Sequence, residues 1–109
     1  MEMPMEDMQK NASRATALLK SMANEWRLLI LCQLSQKEMT VGELTELVPL
    51  SQSALSQHLS VLRREKLVKT RRSSQFIHYS LDSEEVKAVI GTLYELYCAP
   101  ADEGGLPGC

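Results

Sequence analysis

Between Ser51 and Arg64 the chain reads Ser-Gln-Ser-Ala-Leu-Ser-Gln-His-Leu-Ser-Val-Leu-Arg-Arg. Leu55, Leu59 and Leu62 recur at helical spacing, which puts them on one helix face. That leaves Gln52, Ser53, Ser56, Gln57, Ser60 and Arg63 on the outward side. Short hydroxyl and amide side chains let a helix sit deep in a major groove. Glutamine can pair with adenine N6 and N7, and serine can donate to or accept from bases or phosphates. His58 lies in the same stretch and His78 lies further on. Neither has a partner ligand nearby in sequence, so both read as structural or DNA-proximal, with His58 kept in the candidate set.

A basic run follows directly. Arg63, Arg64, Lys66, Lys69, Arg71 and Arg72 stand against the single acid Glu65, in a chain whose formal net charge is -2. The acids concentrate elsewhere, so the overall sign hides a local cationic footprint. Arg71 and Arg72 sit where a hairpin would approach the duplex, within reach of phosphates or the minor groove. Taken singly, each of these residues is also ordinary solvated surface. Their order along the chain favours the nucleic-acid reading.

Three cysteines, Cys32, Cys98 and Cys109, are too far apart for a CxxC zinc or redox motif. No Gly-rich phosphate loop and no nucleophile–base set is present. Ser56 and His58 are two apart on one helix, so their side chains diverge, and an enzyme is not expected. No cofactor is implied.

The elements that would position these groups follow from periodicity and capping. With 109 residues, of which 44% are hydrophobic and 24% charged, the chain suits one ordinary globular domain. Residues 1–7 read as a frayed tail. Met8, Ala12, Ala15, Leu18, Leu19 and Met22 mark a first helix. Asn24 caps a second, strongly apolar helix carrying Leu28 to Leu31 and Leu34. Residues 35–39 read as a polar connection. Thr40 and Glu43 have capping-box spacing and open a third helix, which Pro49 stops. Ser51 caps the fourth. Leu67–Thr70 and Phe76–Leu81 form a hairpin about a turn at 73–75, with Ile77, Tyr79 and Leu81 sharing one face. Asp82 and Glu85 are expected to cap a fifth helix with the stripe Val86, Val89, Ile90 and Leu93. Residues 99–109, with their Pro and Gly, read as a flexible tail, so the domain spans 8–98. No apolar run reaches the roughly 20 residues of a membrane span, and the N-terminus lacks a secretory h-region; no membrane partner and a cytoplasmic location are expected.

Two short helices split at Pro49-Leu50, then a basic hairpin, give a mainly α fold of five helices plus a wing, a winged helix-turn-helix. The stretch Ser51–Arg63, with Leu67-Val68 and Tyr79-Ser80-Leu81, resembles the ArsR/SmtB family of bacterial regulators over roughly residues 10–98. The resemblance implies a homodimer built from the first and last helices. It also implies a near-palindromic double-stranded DNA operator read by two recognition helices. Without the resemblance, the stripes of those two helices serve equally well as intramolecular core.

Many relatives sense metals. Met39–Glu43 lacks the cysteines of one family site, and residues 83–98 lack the histidine of the other, so no metal site is expected. Arg27–Cys32 and Leu93–Cys98 instead resemble the dithiol, HlyU-like branch of the family. That likeness implies that Cys32 and Cys98 form a redox switch, in which a disulfide or polysulfide bridge weakens DNA binding, with reactive sulfur or an oxidant as inducer. The competing readings are a buried, inert Cys32 and a metal- or arsenite-responsive repressor with cysteine ligands, for instance Cys98 and Cys109. A module that uses the same fold to bind protein is the third alternative.

Overall fold

The structure, a computed structural model, describes residues 2–97. Its elements are α1 (Met5–Met22), α2 (Glu25–Gln36), β1 (Met39–Thr40), α3 (Val41–Leu47), α4 (Gln52–Arg64), β2 (Val68–Ser73), β3 (Phe76–Leu81) and α5 (Glu84–Tyr97). Mainly helical with a small antiparallel sheet, it is the winged helix-turn-helix expected.

α1 starts three residues before Met8, so residues 5–7 are helical and not part of a tail. Pro4 precedes the first turn and its carbonyl accepts from Met8 N–H at 3.0 Å. Glu6 and Asp7 in the first turn and Lys20 in the last complement the helix dipole. This first turn is exposed, so it carries no apolar period to betray it. α1 joins the core only near its end, through Leu18 and the buried Met22.

Asn24 caps α2 by accepting from the backbone N–H groups of Trp26 (2.9 Å) and Arg27 (3.1 Å). Ile30, Leu31 and Leu34 of α2 are buried among Leu44, Leu55, Leu59, Leu62, Val68, Leu81, Val86 and Ile90, so α2 is the central strut. The expected polar connection at 35–39 is corrected. α2 runs to Gln36, and Met39 is a buried strand residue.

Thr40 performs two tasks. It pairs with His78 in the sheet, and its hydroxyl accepts from Glu43 N–H at 3.2 Å while Glu43 accepts from Thr40 N–H at 2.9 Å. This is the predicted capping box. Ser51 caps α4, accepting from Ala54 N–H at 3.1 Å. At the other end of α4, Lys66 adopts φ 67°. Leu67 N–H donates to the Leu62 carbonyl and Lys66 N–H to that of Arg63, a Schellman turn that aims the chain into β2.

The sheet order is β1-β3-β2. β2 and β3 pair from Val68↔Leu81 to Ser73↔Phe76, and Ser74 takes the left-handed conformation at φ 58° in the two-residue loop. Ile77, Tyr79 and Leu81 do alternate onto one face. That face is buried at Leu81, half-buried at Tyr79 and exposed at Ile77 as the hairpin leaves the core.

α5 is capped by Ser83, whose hydroxyl accepts from Val86 N–H at 2.8 Å. Asp82, the expected cap, instead donates its N–H to the Leu67 carbonyl and extends the sheet. Val86 and Ile90 anchor α5 in the core. Among the described residues no helix is long and apolar enough to cross a membrane.

Candidate nucleic-acid interface

α4 is held by Leu55, Leu59 and Leu62, each 0% exposed. A helix advances 3.6 residues per turn, so the row opposite those leucines is Ser53, Gln57, Ser60 and Arg64, all exposed. Gln52, Ser56 and Arg63 flank this row on one side, Ser56 partly covered. Ser53 lies 3.3 Å from the cap hydroxyl of Ser51. Arg64 was not among the candidates from sequence. Its spacing of four from Ser60 and seven from Gln57 is the signal that would have placed it there. Among the described residues its only close opposite charge is Glu65 at 3.7 Å, and its side chain is open to water.

His58 sits on the other flank, partly buried and turned toward α2. Arg27 Nε donates to His58 Nδ1 at 3.3 Å, and Arg27 Nη1 donates to the Ser21 carbonyl, also at 3.3 Å. One guanidinium thus joins the end of α1, α2 and α4. A guanidinium only donates, so Nδ1 must be unprotonated and the neutral ring carries its proton on Nε2. Burial lowers the His58 pKa first, and the Arg27 charge lowers it further.

The hairpin treats its two arginines differently. Arg72 is exposed and makes no hydrogen bond or ion pair among the described residues. Arg71, expected to be free for phosphate, is forked onto Glu38, with Nε to Oε2 at 2.8 Å and Nη2 to Oε1 at 2.7 Å. Hydrogen bonding to Arg71 holds the Glu38 carboxyl below its ordinary value and pushes the guanidinium up. The partner lies 33 residues away, and no local rule could have found it. Phe76 and Ile77 stand exposed beside the loop.

Cys32 is half-buried on α2. It lines an apolar cleft of about 530 Å³ with Leu28, Leu29, Leu93, Tyr94 and Tyr97. Burial pushes its thiol pKa up, so it is not an unusually acidic thiol. Cys98 and Cys109 lie outside the described residues, so of the expected redox pair only Cys32 is described. Among the described residues no group of three His, Cys, Asp or Glu side chains is placed to hold a metal ion.

Comparison with known proteins places this geometry. Residues 24–70 match the sequence profile described as "Bacterial regulatory protein, arsR family". The chain is 55% identical over 96 residues to the transcriptional activator HlyU of Vibrio cholerae, covering 88% of this chain and 89% of that one. It superposes on the crystal structure of the transcriptional regulator HlyU from Vibrio vulnificus with TM-score 0.84 and 56% identity, over 88% of this chain and 100% of the other. The transcriptional repressor BigR of Xylella fastidiosa follows the same path at TM-score 0.79 and 38% identity, over 89% and 99%. With an outward polar row on its fourth helix, a basic hairpin beside it and these HlyU-like relatives, the chain belongs to the arsR family of bacterial regulatory proteins, DNA-binding transcriptional regulators and not enzymes.

Proposed function

We propose that the protein acts in the cytoplasm as a homodimer on a near-palindromic operator, with α4 in the major groove and the β2–β3 hairpin on the flanking backbone. The observation that carries this reading is the exposed row Ser53, Gln57, Ser60 and Arg64, fixed from behind by three fully buried leucines. Gln57 at the middle of the row is the base reader, while Arg63, Arg64 and Arg72 supply phosphate contacts. Dimerisation is supported by Met5, Met8 and Leu19 on α1 and Leu96 and Tyr97 on α5, all large, apolar and exposed.

In the same reading, DNA affinity is controlled by the thiols of Cys32 and Cys98. Joining the two sulfurs removes two protons and two electrons, which an oxidant or a reactive sulfur species accepts. Cys32 lies against the final turns of α5, so a link to Cys98 would tie the central strut to the dimer helix. Half-sites on B-DNA are roughly 34–36 Å apart, and a small change in subunit angle misplaces one reading helix.

The tests are direct. Gln57→Ala should relax base preference at one operator position by about 1–3 kcal/mol. Arg72→Ala should weaken all sequences alike and reduce the salt slope by about 0.9. Binding indifferent to sequence at physiological salt would defeat the DNA assignment. After treatment with an organic persulfide, mass spectrometry should find Cys32 and Cys98 linked within one chain, and Cys32→Ser should keep its operator affinity. Equal loss of binding in wild type and Cys32→Ser would remove the thiol switch. Stoichiometric release of DNA by zinc, cadmium or arsenite would replace it with cysteine ligation.

A further inference from the structure

Cross-strand partners in a sheet share a face, and so do residues two apart on one strand. Thr40 pairs with His78, and His78 pairs with Arg71. Glu38, two before Thr40, and Lys69, two before Arg71, belong to that same face. One carboxylate therefore stands among Lys69, Arg71 and His78, all of which draw its pKa down. The contact between Glu38 and Arg71 spans the central strand β3. It is a two-point fork, the geometry a guanidinium also presents to a phosphate.

The pair is open to water: the side chain of Arg71 is 58% exposed and that of Glu38 31%. An exposed ion pair holds its members weakly. Duplex DNA, by contrast, gains from each phosphate a protein cation neutralises, because counterions are released. Alternation puts Arg71 and Arg72 on opposite faces of β2. Without DNA the wing thus offers one unpaired arginine and one that is already occupied.

We propose that Glu38 is an internal stand-in for a DNA phosphate: it keeps Arg71 extended in fork geometry and is displaced when the wing meets the operator backbone. Glu38 then sets the strength of the wing contact without touching DNA. Exchange of carboxylate for phosphate leaves almost no net ion release at Arg71, since Glu38 and Arg71 together bring no net charge to the DNA backbone. This inference rests on the DNA-binding reading, and wild-type operator binding is its reference measurement.

The test is a salt titration of operator affinity for wild type, Glu38→Gln, Arg71→Gln and the double variant, with circular dichroism melts to confirm folding. Glu38→Gln keeps the side-chain size and frees the guanidinium. It should bind the operator tighter by about three- to fivefold at low salt, with a salt slope steeper by about 0.9, one additional phosphate. Arg71→Gln should weaken operator binding in the wild-type background, because it removes the phosphate partner and leaves Glu38 unpaired beside the backbone, and it should abolish the gain in Glu38→Gln. Unchanged affinity and slope in a folded Glu38→Gln protein would overturn the proposal, because Arg71 would then never leave its partner for DNA. Weaker binding would overturn it in favour of Glu38 as a brace for the wing. A double variant as tight as Glu38→Gln would show that the gain is only the loss of a negative charge. Absence of wild-type operator binding would instead strike at the DNA reading itself.

Discussion

Replacing Arg27 with methionine keeps most of the side-chain stem and deletes both of its directed contacts, to His58 Nδ1 and to the Ser21 carbonyl. Both hydrogen bonds measure 3.3 Å, which is long, so each is assigned about 1 kcal/mol and not the larger value of a short charged contact. The sum, about 2 kcal/mol, is a large share of the 5–15 kcal/mol typical of a domain. At fixed protein concentration it should lower Tm by roughly 10 °C. The loss should also depend on pH. The His58 pKa is lowered in the fold, by burial and by Arg27. Stability from this site is therefore complete above the unfolded value of about 6.5 and disappears as pH falls through the lower folded value. Removing Arg27 takes away one of the two causes, so acid should harm the variant less than wild type. Circular dichroism melts at about pH 7.5 and about pH 5.5 should show the gap between the two proteins narrowing on the acid side. A double cycle with His58→Phe should return a coupling of about 1 kcal/mol. Equal melting temperatures, or a gap that ignores pH, would refute the bridge as an energetic link between α1 and the reading helix.

Other outcomes follow from the same geometry. Leu59→Ala opens a hole behind the reading row at a fully buried position. Urea unfolding should report a loss of about 2–5 kcal/mol, with operator binding recovered on cooling in the fraction still folded. Thr40→Ala removes the cap of α3 and should cost about 1 kcal/mol by the same measurement. Hydrogen bonding from the Thr40 backbone N–H holds the Glu43 carboxyl below its usual value. The associated stability is present above the ordinary glutamate pKa and is lost as pH falls through the lowered one, so an acid titration of Glu43→Gln should be flatter than that of wild type.

What could be read without coordinates was local. Asn24, Thr40 and Ser51 are caps because a short oxygen-bearing side chain precedes a periodic apolar run, and each caps as read. The leucines of α4 needed only the helical repeat. Features set by distant pairing escaped. β1 is two residues long, too short to alternate, and exists because β3 offers it an edge. Asp82 and Ser83 are equally good caps by type; the bond from Asp82 N–H to the Leu67 carbonyl decided between them. Arg71 looked like its neighbour Arg72 until the fold brought Glu38 across the sheet. His58 read as structural or DNA-proximal alike until Arg27 claimed its ring.

Thr40 belongs at once to the last rung of the small sheet and to the first turn of α3. No slack residue separates the two, so the sheet and α3 cannot tilt apart without breaking either a strand pair or a helix start. Any force that turns α3 must therefore carry the edge of the sheet with it, and the two can only be aimed together.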